Sequence, residues 1–161
     1  MVFLPPFSDT IVKEYIDSNT QSQIAGFDLS IKDLIKLQDG GIVDFDNTKR
    51  NIPEHKTIPP VDGKWKIKPG GYLVKYNEVV EVPLNAIGIV LPRSSLMRCG
   101  ATVCSAVWDP GYKGRGVGLF LVYANITLHQ NARIAQIVFI ETKAKTTKGY
   151  SGKYQNENIK D

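Results

Sequence analysis

The chain has 161 residues, of which 42% are apolar and 22% charged, an ordinary balance for one domain large enough to bury a core. No run of about 18 apolar residues occurs, which excludes a membrane-spanning helix, and "MVFLPPFSDT" lacks the basic head and long apolar stretch of a secretory signal, so a cytoplasmic protein is expected. The net charge of +4 suits an anionic partner, but the cations are dispersed rather than blocked, which fits a phosphate-bearing small molecule at least as well as nucleic acid.

In chain order, "SDTIVKEYIDSN" predicts a short N-terminal helix: Ser8 as cap, Asp9 in the first turn, and Ile11, Val12, Tyr15 and Ile16 as one apolar stripe. The segment "IAGFDLSIKDLIKLQDGG" holds a short apolar piece, a helical turn and a Gly-Gly stop. Residues 44–64, rich in Pro, Asn and Asp, read as a surface loop inside one domain. From Trp65 the pattern changes to apolar-polar alternation between turn signals, with β-branched Val79, Val80, Val82, Ile87, Ile89 and Val90. "ATVCSAVWDPGYKG" continues with a strand and a tight Asp-Pro-Gly turn, and "RGVGLFLVYANITL" and "ARIAQIVFIE" read as two more strands. The basic tail is expected to be mobile from about residue 145. Together these predict an all-β barrel or jelly roll with one short helix, a single domain over residues 1–161.

Cys99 and Cys104 have no histidine or further cysteine at zinc-ligand spacing; they read as small packing residues, with a bridge between them as the lesser alternative. His55 and His129 read as loop residues. Four stretches carry possible chemistry. "PRSSLMRCG" crowds Arg93, Ser94, Ser95 and Arg98 after Pro92; guanidinium forks and hydroxyls bind phosphate, though a solvated turn has the same composition. "AVWDPGYKG" sets Asp109 at a strand end with Tyr112 three positions on, either a general base beside a stacking ring or a self-capping turn. In "NARIAQIVF", Gln136 is an edge residue or an amide facing a ligand. "GYSGKYQ" places Tyr150, Lys153, Tyr154 and Gln155 in a glycine-bearing tail, either a cover for a nucleotide or a disordered end.

Taken in order, "AGFDLS", "PRSSLMRCG", "AVWDPGYKG", "NARIAQIVF" and "GYSGKYQ" resemble the five motifs of the dUTPase and dCTP deaminase superfamily, and within it most resemble the archaeal type of dUTPase. The resemblance runs from about Ile24 to Gln155. It implies a dUTPase-like β-clip, a distorted jelly-roll barrel, assembled as a homotrimer with active sites between subunits and acting on a deoxynucleoside triphosphate. It implies that Asp28 holds a Mg2+ ion through water, and that Arg93, Ser94, Ser95 and Gln136 contact the triphosphate. It implies that Asp109 meets the sugar and orients the attacking water, and that Tyr112 packs on the deoxyribose. Tyr150, Lys153, Tyr154 and Gln155 would close over the nucleotide, often from a neighbouring subunit. Neither nucleic acid nor membrane is an implied partner. Asn131 stands where the family has glycine, and asparagine tolerates the left-handed backbone such a turn needs.

Arg98 and the "YSGKYQ" tail resemble the deaminase branch, which requires a proton-shuttling glutamate three residues before an asparagine. Counting back from Asn125 reaches Val122, and no Asp or Glu occurs between Asp109 and Glu141. A valine transfers no proton. The expected activity is therefore a dUTP diphosphatase, yielding dUMP and pyrophosphate. The alternatives are a dCTP deaminase, with or without hydrolysis of its product, and a nucleotide-binding regulatory trimer without turnover. Residues near Gly116 and Gly118 lengthen the run after Asp109 and are expected to form a bulge or a longer hairpin.

Overall fold

A computed structural model describes residues 1–3 and 11–160. Its elements are β1 (Val2–Phe3), β2 (Val12–Lys13), α1 (Ser18–Gln21), β3 (Phe27–Lys36), β4 (Lys56–Ile58), β5 (Lys64–Ile67), β6 (Gly70–Tyr76), β7 (Val79–Glu81), β8 (Ala86–Pro92), α2 (Ser94–Arg98), β9 (Ala101–Cys104), β10 (Lys113–Gly114), β11 (Val117–Val122), β12 (Ile126–His129) and β13 (Arg133–Glu141). One large antiparallel sheet runs β1-β13-β3-β6-β11-β9, with β8 also on β13 and β4 on β3. Two smaller sheets, β10-β7-β2 and β12-β5, complete a distorted jelly-roll barrel. Among the described residues no helix is long and apolar enough to cross a membrane.

Period-2 alternation explains the strands after Trp65. In β11, Gly118, Phe120 and Val122 point inward while Val117, Leu119 and Leu121 point outward. In β8, Ala86, Gly88 and Val90 are buried, whereas Ile87, Ile89 and Leu91 face outward. The core gathers Phe27, Leu29, Ile31, Tyr76, Phe120, Ile137 and Phe139. Gly118 lies inside an unbroken register with Val74, so the extra length after Asp109 is not a bulge at that position.

Two N-terminal expectations fail. Val12 and Lys13 form a strand against Val80 and Val79, and Ile16 is exposed, so the predicted stripe is not a helical face. Ser8 and Asp9, the expected cap and first turn, lie outside the described residues. The helix that exists is shorter and later, α1, capped by the Asp17 side chain accepting from the Asn19 N–H. "FDLSIKDLIK" contains no helical turn but is one ten-residue strand, because β13, β6 and β4 all pair with it. Tertiary pairing on both edges overrides a spacing that is compatible with either period. Within the predicted loop 44–64, residues 56–58 pair with β3 and the rest is largely exposed. The tail lies against the barrel. Between residues 146 and 157 it makes backbone hydrogen bonds to the barrel, among them Tyr150 N–H to Pro110 O at 2.8 Å and Asn156 N–H to Lys113 O at 2.7 Å.

At the turn between β6 and β7, Glu78 is fully buried. Its carboxyl accepts from Gln21 Nε2 at 2.6 Å, Ser30 Oγ at 2.5 Å and Ser30 N–H at 3.0 Å. Burial pushes its pKa above the usual carboxylate range, and the Ser30 and Gln21 donors draw it back. A folded-state pKa raised in this way contributes stability that is fully present below the unfolded value and is lost as pH rises through the folded one. Glu78→Ala leaves buried donors unpaired and should lower stability by about 2–4 kcal/mol. Denaturant titrations should show the gap between wild type and variant largest near pH 4 and smaller at pH 8.

Candidate active site

The Asp-Pro-Gly segment folds as the sequence predicts. Tyr112 N–H donates to Asp109 O at 3.0 Å, with Pro110 and Gly111 between them and Gly111 at φ 80°, the left-handed position of a type II turn. The turn is docked by Gly111 N–H to Val82 O at 2.9 Å and Val82 N–H to Tyr112 O at 2.8 Å. Just before it, Trp108 exchanges two 2.9 Å backbone hydrogen bonds with Gly88 of β8. Trp108 Nε1 donates to Ser105 Oγ at 3.0 Å, and Ser105 Oγ donates to Ala106 O at 2.8 Å, so the loop 105–107 holds the indole.

These constraints build one cleft of about 460 Å³. Asp109 is exposed at its margin, and Trp108, Tyr112, Tyr150 and Tyr154 supply aromatic surface. Trp108 and Tyr112 meet edge-on at 5.1 Å, and Tyr112 and Tyr150 at 5.8 Å. Ser105 also lines this cleft, as do two residues to which the sequence assigned no place in it, His55 and Glu157. His55 Nδ1 accepts from Gln38 N–H at 3.1 Å. Glu157 accepts from the Tyr112 hydroxyl at 2.8 Å. Burial, and then the Glu157 charge, push the Tyr112 phenol above its ordinary range and keep it a donor. Burial likewise raises Glu157, against the pull of the Tyr112 bond and Lys75. No local signal marked Glu157; 45 positions separate it from Tyr112.

A second cluster gathers at the ends of β3, β8 and β13. Asp28 is 1% exposed. Its Oδ2 pairs with Arg93 Nε at 2.9 Å and Arg133 at 3.1 Å, and its Oδ1 accepts from Gln136 Nε2 at 3.3 Å. Burial raises this carboxyl, while Arg93, Gln136 and Arg133 oppose the shift. Two guanidiniums against one carboxylate leave the cluster with a net positive charge beside exposed Ser94 and Ser95. "PRSSLMRCG" is a helix rather than a plain turn: α2 begins at Ser94, buries Leu96, and carries exposed Arg98, which donates to Ser94 O at 3.3 Å. Asn131 has φ 63° and accepts from Asn77 Nδ2 at 3.1 Å, so asparagine holds the left-handed turn before β13.

Asp28 fits a metal poorly. Both oxygens are already engaged by cations and an amide, and the side chain is buried. Among the described residues no group of three His, Cys, Asp or Glu side chains converges.

The two clusters are separate within one protomer. Trp108 stands opposite Gly88, and Pro92 ends β8 four positions further on, roughly 13 Å at about 3.3 Å per residue. The antiparallel sense carries Asp109 the other way. None of Arg93, Ser94, Ser95, Arg98 and Gln136 lines the cleft. Of the tail residues, Tyr150 and Tyr154 reach it. Gln155 instead bonds the Lys113 N–H and Gly111 O, and Lys153 is exposed with Nζ 5.9 Å from the Tyr154 ring centre.

A family model described as dCTP deaminase-like matches residues 8–142. The chain is 43% identical over 153 residues to a probable deoxyuridine 5'-triphosphate nucleotidohydrolase of Methanosarcina acetivorans, covering 93% of this chain and 90% of the relative. It is 41% identical over 148 residues to the deoxyuridine 5'-triphosphate nucleotidohydrolase of Methanocaldococcus jannaschii, covering 89% and 94%. Its fold is similar, at TM-score 0.60 and 19% identity, to a 2'-deoxycytidine 5'-triphosphate deaminase from Agrobacterium tumefaciens, covering 83% of this chain and 44% of that one.

Gly116 floors the cleft where the indole approaches: a Cβ there would lie 2.4 Å from Trp108 Cη2. Gly116→Ala should destabilise the protein by about 1–3 kcal/mol through overpacking. Chemical denaturation reads that loss, and the near-ultraviolet circular dichroism of Trp108 should change in the folded protein.

Proposed function

The chain belongs to the dCTP deaminase-like family, and we propose that it works there as a dUTP diphosphatase, converting dUTP and water to dUMP and pyrophosphate. The observation that carries this proposal is Asp109, an exposed carboxylate at the lip of an aromatic cleft, held by a type II turn. Asp109 orients a water and accepts its proton as the water oxygen bonds to the α-phosphorus. The bond from that phosphorus to the α,β-bridging oxygen breaks, and pyrophosphate leaves. Tyr112 packs on the deoxyribose, and Tyr150 and Tyr154 cover the base side. Arg93, Ser94, Ser95, Arg98 and Gln136 bind the phosphates, joined by Arg133, while Lys153 comes from the tail and Gln155 holds the tail on the turn. Asp28 orients the two arginines. Magnesium belongs to this scheme as a counter-ion of the triphosphate, without Asp28 as its ligand.

The gap of more than about 13 Å between Asp109 and Arg93 supports a composite site, one protomer supplying the cleft and another the cations. A homotrimer satisfies this. Ile87, Ile89 and Leu91 make an outward apolar stripe on β8, Val138 and Ile140 extend it on β13, and Met97 and Leu91 are each 54% exposed. Such a surface favours self-association. Free, exposed Cys99 and Cys104 suit the reducing cytoplasm.

Deamination of dCTP is the weaker proposal. Val122 is buried and in register with Gly70 and Ala101, so β11 offers no acid. Glu157, the carboxyl the tail contributes, is engaged by the Tyr112 hydroxyl on the sugar side. Incubation with each nucleotide and product identification should give dUMP and pyrophosphate from dUTP, and no ammonia from dCTP. Asp109→Asn should slow pyrophosphate release by on the order of 10²–10⁴ with an unchanged circular dichroism spectrum. Deamination by the wild type, or a near-normal rate in the variant, would overturn the assignment.

A further inference from the structure

The tail is not simply laid over the cleft; it is stitched to β10 and ends on the cleft's central ring. Gln155 closes two bonds, accepting from Lys113 N–H at 2.9 Å and donating to Gly111 O at 2.9 Å. Asn156 N–H donates to Lys113 O at 2.7 Å, and Arg115 N–H donates to Glu157 O at 3.0 Å. Gly114 and Glu157 thereby form one isolated parallel β-bridge. Beyond them Asn158 Nδ2 donates to Arg115 O at 2.9 Å, and Arg115 Nε returns a bond to Asn158 O at 3.1 Å. Arg115 is itself buried and paired with Glu14 at 2.5 Å.

This stitching delivers one side chain to one place. Glu157 Oε1 accepts from the Tyr112 hydroxyl at 2.8 Å. A buried phenol without an acceptor is strongly disfavoured. The residue between them makes room for the pair: a Cβ at Gly114 would lie 2.5 Å from the Tyr112 hydroxyl oxygen and 3.1 Å from Glu157 Cγ. Tyr112 is then held at its tip by Glu157 and along its sides by Trp108 and Tyr150.

We propose that Glu157 is a positioning residue for Tyr112, and that docking of residues 150–158 on β10 sets how strictly the enzyme rejects a ribose 2'-hydroxyl. This rests on the assignment of Tyr112 to the sugar. A ring clamped at both tip and flanks presents a fixed face, and an added hydroxyl meets a wall. With the tip released, the ring can tilt and the wall yields.

The test compares wild type, Glu157→Ala, Glu157→Gln and Tyr112→Phe for hydrolysis of dUTP and UTP. Hydrogen exchange at the Arg115 and Asn156 amides is measured on the nucleotide-free proteins. Loss of a hydrogen bond to a charged group corresponds to about tenfold or more. Glu157→Ala should raise the dUTP KM and reduce the dUTP-to-UTP ratio of kcat/KM by about tenfold, with a smaller change in kcat. The same substitution should speed exchange at both amides. Glu157→Gln keeps an acceptor oxygen and should restore the ratio to within about threefold. Tyr112→Phe should lower the ratio as Glu157→Ala does, and the double variant should be no worse than either. An unchanged ratio in a folded, active Glu157→Ala overturns the proposal, as does failure of Glu157→Gln to rescue. If the wild type hydrolyses neither nucleotide, the assigned function fails instead. Exchange then decides the clasp by itself: protection unaltered in Glu157→Ala rejects it.

Discussion

The paired backbone hydrogen bonds between Gly88 and Trp108 are the constraint on which the rest of the site depends. They fasten the loop after β9 to the middle of β8, and the indole above Gly116 prevents that loop from sliding. Asp109 follows directly, so its height on the barrel is set by a strand pairing rather than by a flexible loop. The same pairing fixes how far Asp109 stands from the arginine at the end of β8. The exposed carboxylate of Asp109 and the partly exposed guanidinium of Arg93 are thus each held by paired backbone, yet apart. Rigid placement on paired backbone is what keeps such groups near productive geometry without reorganisation at the moment of reaction.

The cationic cluster follows a different logic. Burying Asp28 is unfavourable unless its charge is compensated, and Arg93, Arg133 and Gln136 compensate it. In return the carboxylate restrains two long side chains that would otherwise sample many rotamers. Both arginines remain partly exposed, so the surplus positive charge faces outward. The buried acid serves as a scaffold for two guanidiniums, with both of its oxygens engaged.

The tail completes the cleft through backbone pairing more than through its aromatic side chains. Gln155, one of the residues with a motif resemblance, acts on the main chain of the Asp-Pro-Gly turn, while Glu157 reaches the phenol that the turn presents. Turn, ring and tail are therefore one mechanical unit, joined to the barrel by Arg115 and its partner Glu14.

Sequence by itself determined the all-β class, the strands after Trp65 and the Asp-Pro-Gly turn, while the left-handed asparagine at 131 followed from the family resemblance together with its tolerance of positive φ. In each, the signal is local: period-2 alternation, β-branching, or a side chain suited to positive φ. Motif order singled out Asp109, Arg93 and Gln136 as candidates. The N-terminal spacing misled: Ile11, Val12, Tyr15 and Ile16 fit a helical face, but pairing with β7 draws Val12 and Lys13 into a strand and overrides that spacing. Only the tertiary structure decided that β3 is one long strand, that Asp28 faces two guanidiniums, and that the tail is docked. Glu157 meeting Tyr112 and the separation of the two clusters were also beyond local reading. Each of these depends on contacts between residues tens of positions apart, and whether such groups meet is settled by sheet register, which short-range pattern does not encode.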